Sequence, residues 1–300
     1  MQTINELMRK AAENKMVIPG FNIPYLPMMK PVVQALVDSK CFGLIMVARL
    51  EWEKFESEGV KEIYDEYQRV GDNYYTRLHL DHVPVIDEDD KNVDYIDIIQ
   101  QALDLGYSSV MVDASRLDLQ GNIDATSKVV KMAHAKGVAV EAELGAVMGH
   151  ENGPRLSYDE LFKSGKGFTK PEEARRFVDE TSVDWLSVAV GSIHGAISAG
   201  HKDKKKVQAR LNIEHLKKIR DAVDIPLVLH GGTGIAKDCI MDSIQNGITK
   251  INIATAIRQP YERLKEKSIV EAQDAVYQAM LEVINNDLEI GGSAEALIGE

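Results

Sequence analysis

Short apolar runs alternate along this chain with longer amphipathic stretches. The runs are 17–23 (VIPGFNI), 43–49 (GLIMVAR), 75–83 (YTRLHLDHV), 108–115 (SSVMVDAS), 138–145 (VAVEAELG), 185–191 (WLSVAVG), 226–232 (PLVLHGG) and 250–256 (KINIATA). Nearly continuous Val, Ile and Leu marks strands covered on both faces, as in a parallel sheet. Each run is followed by a helical period, for example NIDATSKVVKMAHAKG or NIEHLKKIRDA. About eight strand–helix units fit a closed barrel better than an open doubly wound sheet, which usually has about five or six strands. The prediction is an α/β fold, a single (β/α)8 TIM barrel spanning residues 1–300 as one domain.

Gly106 and Gly137 fall just after helical patterns, and Pro171 follows Thr169 where a helix can begin. Two long loops, 146–169 and 192–211, follow predicted strands and so belong to the catalytic face of a barrel. The second carries KDKKK at 202–206, either a solvated charge run or a lid that attracts phosphate.

Polar residues gather where the predicted strands end. HLDH (79–82), GSIHG (191–195) and LHGGTG (229–234) place His82, His194 and His230 at equivalent ends of different strands. In a barrel those ends ring one mouth, and three imidazoles with an open position make a catalytic zinc site. A lone strand-end histidine is more often a hydrogen-bonded structural residue; three at equivalent ends, two beside glycines, reverse that reading. Asp81 adds a carboxylate that a nearby cation would keep ionised, ready to accept a proton or else to orient a ligand. His79 shares the parity of Asp81 and points inward as a supporting residue. Glu141 and Glu143 alternate likewise, with Glu143 nearer the mouth and the better candidate for a group beside the metal. His134, His150, His201 and His215 read as surface residues.

HGGTG opens a helical stretch, and glycine-rich turns at a helix start bare N–H groups to an anion. Phosphates in barrels often bind after strands seven and eight. Asn252 and Thr255, read as lying on the eighth strand, can add hydrogen bonds. Arg258 can hold a second phosphate bidentately or make a helix-surface ion pair.

Composition adds exclusions. The chain has 300 residues with a formal net charge of −12, so nucleic acid is not an expected partner. An acidic surface still permits a locally positive phosphate site. Cys41 and Cys239 lie far apart and outside any CxxC, as free thiols in a reducing cytoplasm do. The amphipathic N-terminus has no signal-peptide core, and no apolar run approaches the roughly 18 residues of a membrane span, so no membrane partner is expected.

HLDH, SVMVDAS, VEAELGAVMGHE, VAVGSIHG, IPLVLHGGTGI and ITKINIATAIR together resemble, in order, the motifs of class II fructose/tagatose-bisphosphate aldolases. The match runs from about residue 17 to about 260. The resemblance implies His82, His194 and His230 as Zn2+ ligands and Asp81 as the residue that moves the substrate hydroxyl proton. It implies Glu151 for proton transfer at the carbon alpha to the carbonyl. Gly195, Gly232, Thr233 and Asn252 would hold the first phosphate and the enediolate, often beside a monovalent cation, Na+ or K+. No lysine Schiff base is required, which leaves Lys250 a structural role. The substrate implied is a small phosphorylated sugar, and a cytoplasmic homodimer or homotetramer is expected.

Three departures stand out. Val83 replaces the usual glycine after HLDH, before an acidic stretch, PVIDEDDKNVD. Arg49 aligns where a serine near the substrate is usual; it either reads an anionic group or pairs with Glu51 or Asp113. Ala254 stands where fructose-bisphosphate-specific members tend to carry aspartate, which favours a tagatose-like or unusual ketose. A non-catalytic barrel subunit is the competing expectation, opposed by the retention of the three histidines, Asp81 and Glu151. A zinc hydrolase is opposed by the lack of histidine in GFNIP on the first strand.

Overall fold

A computed structural model describes residues 2–145, 158–192 and 209–299. His194, Gly195 and Glu151 lie outside the described residues, as do His150, His201 and the lysine run.

The predicted barrel is present. β1 (Ile18–Asn22), β2 (Gly43–Ala48), β3 (Thr76–Pro84), β4 (Ser109–Asp113), β5 (Ala139–Leu144), β6 (Trp185–Val188), β7 (Leu227–Leu229) and β8 (Ile248–Ile253) form a closed sheet in sequence order. Every pairing is parallel, and β1 closes on β8 from Ile18↔Lys250 to Phe21↔Ile253.

Several strand ends differ from the expectation. β2 stops at Ala48, and Arg49 opens the helix Arg49–Lys54. β8 stops at Ile253, so Thr255 is not on the strand but begins the helix Thr255–Leu264. The expected loop 146–169 contains the helix Tyr158–Ser164. His134 and His215 are tied down, His134 Nε2 to Asp184 at 2.8 Å and His215 Nε2 to the Thr169 carbonyl at 2.7 Å. Apolar patterning continues from a buried strand into the first turn of the next helix, so it cannot mark where the ladder stops.

Period-two alternation sorts the strand residues. Ile45, Val47, Leu78, Leu80, Val140, Ala142, Leu186, Val188, Ile251 and Ile253 belong to the main core beneath the helices. Ile18, Leu44, Met46, Ala139, Trp185 and Val228 form a second cluster. It is plugged by Ile4, Leu7, Met8 and Ala11 of the N-terminal helix Ile4–Glu13. That helix starts at a capping box: Glu6 N–H donates to Thr3 Oγ1 at 3.2 Å, and Thr3 N–H donates to Glu6 at 2.7 Å. Further along the same inward parity stand polar side chains instead: His79 and Asp81, Glu141 and Glu143, Lys250 and Asn252. The barrel is thus apolar at one end and polar at its C-terminal mouth. Among the described residues no helix is long and apolar enough to cross a membrane. Cys41 and Cys239 are unpaired thiols.

Candidate active site and metal centre

β3 supplies the centre through an irregularity. Leu80 lies opposite Val110 and Val83 opposite Val112, so Asp81 and His82 together span the place of one β4 residue, Met111. This β-bulge breaks the alternation that would send consecutive side chains to opposite faces. His82 takes a left-handed φ of 29° within it. As a result Asp81, His82 and His230 bring ligand atoms within 4.8 Å of one another. The His82 and His230 rings meet edge to face, 4.5 Å apart.

Carboxylates surround these imidazoles. His82 Nδ1 lies 3.1 Å from Asp113 and 3.9 Å from Glu143. His230 Nδ1 lies 3.0 Å from Glu143, and its Nε2 lies 2.9 Å from Glu141. Burial by itself would push the pKa of His82 down, but the charge of Asp81, the hydrogen bond to Asp113 and the charge of Glu143 raise it to about 10. For His230, burial and the His82 charge act downward, and Glu141 and Glu143 outweigh them. Burial would raise Asp81; the charge of His82 and the proximity of His79, Lys250 and His230 instead hold it well below the usual carboxylate range. Asp113 is likewise lowered against its burial, by His82 and Ser115.

Beneath this layer lies a buried ion pair. Lys250, with no exposed surface, donates to Glu141 at 2.8 Å and approaches Asp81 at 3.9 Å. Burial opposes ionisation of Glu141, but the Lys250 charge and the His230 hydrogen bond hold its pKa to about 2. Glu141 on Nε2 and Glu143 on Nδ1 thus hold the His230 ring in place from both of its nitrogens. Glu143, the predicted metal-proximal carboxylate, contacts both rings; Glu141, passed over in its favour, orients one of them. His79 points inward as predicted, with Nδ1 2.8 Å from Ser109 and Nε2 between Asp81 (3.7 Å) and Glu141 (3.6 Å), beyond hydrogen-bonding reach of either.

Two amides grip Asp81. Asn22 Nδ2 donates to Oδ2 at 3.0 Å, and Asn252 Nδ2 donates to Oδ1 at 3.1 Å. Asn252 Oδ1 is buried without a hydrogen-bond partner. Asn22 was not singled out from the sequence, although an inward polar residue ending an apolar strand was a readable signal. Asn22 also donates to Glu51 at 3.4 Å. Burial raises the pKa of Glu51 to about 8. Glu51 had no readable signal, because its position depends on the helix that follows β2.

The glycine-rich turn expected to meet a phosphate lies next door, after β7. Gly231 and Gly234 have φ of 72° and 90°, and the turn they form leads into the helix Lys237–Gln245. A Cβ on Gly232 would meet Ile251 Cγ2 at 2.5 Å, so only glycine lets this turn pack on β8. The Gly232 N–H donates to the Asn252 carbonyl at 3.3 Å, and Thr233 is half-buried beside it.

The two arginines are engaged by carboxylates. Arg258 pairs with Glu262 at 2.6 Å and lies over the Phe55 ring at 5.1 Å. Arg49 pairs with Glu53 at 3.4 Å and Asp87 at 3.5 Å, not with Glu51 or Asp113. A position at the start of a helix turns its side chain along the helix and towards the acidic stretch, where the expected strand position would not.

The donor set fits a divalent cation. Asp81, Asp113, Glu141 and Glu143 crowd the described mouth, and Lys250 is the fixed positive charge set among them. Imidazole and carboxylate donors suit zinc-type borderline metals.

The barrel and its mouth gather side chains that could hold a metal ion, as a metal-dependent barrel enzyme would. The family profile described as fructose-bisphosphate aldolase class-II matches residues 2–296, and the chain belongs to that family. It is therefore an aldolase, a carbon–carbon lyase of a divalent-metal-using class. The chain is 32% identical over 257 residues to a fructose-bisphosphate aldolase of Geobacillus stearothermophilus, spanning 84% of this chain and 80% of that one. It is 29% identical over 290 residues to the fructose-bisphosphate aldolase of Giardia intestinalis, spanning 90% and 83%. The crystal structure of the YdjI aldolase from Escherichia coli K12 superposes with a TM-score of 0.75 at 28% identity, covering 98% of this chain and all of that one (100%).

Two outcomes follow. The folded-state pKa of His82 exceeds its ordinary 6.5, so in metal-free protein the His82 proton stabilises the fold below that pH, and this is lost as pH rises through about 10. A cation on that imidazole must displace the proton, so calorimetric metal affinity should rise with pH between about 6.5 and 10, with proton release. Affinity that is flat with pH would remove His82 as a ligand. Second, Lys250→Met leaves Glu141 uncompensated: stability should fall by about 3–5 kcal/mol. Chelator competition should show metal held about 10–100-fold more weakly. Unchanged metal affinity would mean that Glu141 does not orient His230.

Proposed function

We propose that this chain is a zinc-dependent aldolase. It cleaves a ketose 1-phosphate or bisphosphate reversibly to dihydroxyacetone phosphate and an aldehyde. The observation that carries this reading is Asp81, held ionised between two asparagine amides within reach of His82 and His230. His82, His230 and His194 are the residues that would hold zinc. A zinc ion there supplies Lewis-acid polarisation of the substrate carbonyl.

The chain's own groups do the rest. With both oxygens already oriented, Asp81 accepts the proton of the C4 hydroxyl as the C3–C4 bond breaks. The electron pair of that bond moves onto the dihydroxyacetone phosphate half as an enediolate. Glu151, by resemblance, returns a proton to its carbon. Asn252, whose unpartnered Oδ1 can accept from a hydroxyl of that half, and the turn of Gly232 and Thr233, together with Gly195, hold the phosphate half. Thr255 adds a hydroxyl at the start of its helix, and a Na+ or K+ ion beside the phosphate is part of the same proposal.

The far half of the substrate differs from fructose 1,6-bisphosphate. Ala254, the residue before the helix Thr255–Leu264, offers a methyl group where an aspartate would accept a hydroxyl. Arg49 has 17% of its side chain exposed, and its carboxylate partners lie at 3.4 and 3.5 Å. An incoming anion would compete with those contacts, and Arg258 can serve a distal phosphate in the same way. The enzyme is a cytoplasmic homodimer or homotetramer in this reading, with a small phosphorylated sugar as its partner and neither nucleic acid nor membrane.

Asp81→Asn should keep fold and metal while lowering the cleavage rate by roughly 10²–10⁴. A rate within about threefold of wild type would reduce the carboxylate to a ligand-orienting group. On substrate, kcat/KM should be higher for tagatose 1,6-bisphosphate, or another anionic ketose 1-phosphate, than for fructose 1,6-bisphosphate. Preference for the fructose compound would sink that specificity. Arg49→Ala should raise KM for the preferred substrate; an unchanged kcat/KM would leave Arg49 as an ion-pair residue.

A further inference from the structure

We propose that Glu51 is a positioning residue for the cleavage step, acting on Asp81 through the side-chain amide of Asn22. This rests on the reading of Asp81 as the group that moves the hydroxyl proton. Three elements meet here: β1 ends in Asn22, β3 presents Asp81, and the helix Arg49–Lys54 carries Glu51 back over the end of β2. Ala48, the last residue of β2, is the register partner of Asp81. Glu51 is 7% exposed, and its Oε2 accepts the Ala48 N–H at 2.8 Å. The same oxygen lies 3.4 Å from Asn22 Nδ2, which donates to Asp81 Oδ2 at 3.0 Å.

The amide nitrogen of Asn22 has two hydrogens, and the two carboxyl groups take one each. An asparagine side chain can turn over and exchange its oxygen for its nitrogen. Turned over, Asn22 would set its one carbonyl oxygen, instead of its nitrogen, against both Asp81 and Glu51. Two acceptors on the one amide nitrogen therefore fix its orientation more firmly than Asp81 does by itself. Glu51 in turn is held by a backbone N–H rather than by a mobile side chain. Because Ala48 has no side-chain acceptor, the reciprocal half of a capping box is missing, and the bond to Ala48 caps only one end of a short helix. Helix capping accounts for that bond and leaves the contact with Asn22 unexplained.

The reaction gives this arrangement a use. A carboxylate that must take a proton in the transition state loses rate when its orientation loosens, even where substrate still binds. Losing Glu51 should therefore appear in kcat rather than in KM.

The test uses the metal-loaded enzyme and the better of fructose and tagatose 1,6-bisphosphate as substrate. The variants are Glu51→Ala, Glu51→Gln, Asn22→Ala, the Glu51→Ala/Asn22→Ala pair, and Asp81→Asn, each checked for metal content and melting temperature. Glu51→Ala should lower kcat about tenfold with KM within about twofold, while in the Asn22→Ala background the same change should alter kcat less than about twofold. Glu51→Gln keeps an acceptor for both N–H groups and should restore kcat to within about threefold of wild type. Should Glu51→Ala not fold, Glu51→Asp withdraws the acceptor by one methylene and should show the same loss of kcat and the same coupling.

Multiplicative losses in the double variant would overturn the proposal, as would a Glu51 effect confined to melting temperature or a Gln variant as slow as the Ala variant. Wild-type cleavage by Asp81→Asn would overturn the reading of Asp81 and this proposal with it. A slow Asp81→Asn enzyme with additive Glu51 and Asn22 effects would overturn the positioning role only.

Discussion

Carboxylates from three adjacent strands share one barrel mouth, and their mutual repulsion is the constraint on which the site depends. Asp81 from β3, Asp113 from β4 and Glu141 and Glu143 from β5 stand with Lys250 and the imidazoles of His79, His82 and His230 as their immediate counterparts. Buried negative charge is tolerated only where cations and donors compensate it. The same pull raises the pKa values of His82 and His230 against a burial that would lower them. A divalent ion answers the same demand more strongly, which ties the metal to the stability of the mouth as well as to its chemistry.

The charges are arranged in layers. Lys250 neutralises Glu141 deep in the barrel, Glu141 holds the Nε2 side of the His230 ring, and His230 faces His82 above. On the other side of Asp81, hydrogen-bond donors replace formal charge. Asn22 and Asn252 present only N–H groups to the carboxylate, a surrounding that favours its ionised form.

The arginines illustrate how position changes meaning. Each is placed where an anion could be read, and each is held by carboxylates: Arg49 by Glu53 and Asp87, Arg258 by Glu262. Such pairs hold each guanidinium against a carboxylate and screen its charge. The acidic stretch after β3, unexplained by composition, supplies Asp87 as one of these partners.

Much of the architecture was legible in the sequence. Buried parallel strands are apolar on both faces, so each strand announced itself, and the barrel followed from their number. Inward parity correctly placed His79, Asp81, Glu141 and Glu143, because a strand's period of two is local. What local pattern could not contain was any departure from that period. The bulge that turns both Asp81 and His82 to the mouth arises from pairing with β4. The helix that begins at Arg49 redirects that arginine and carries Glu51 behind Asn22, and the Lys250–Glu141 pair joins residues 109 positions apart. The sequence by itself determined the fold and the kinds of group at the mouth, since these depend on near-neighbour periodicity and residue chemistry. Only the tertiary structure decided which groups touch, because register, strand ends and long-range pairs are set by the closure of the barrel.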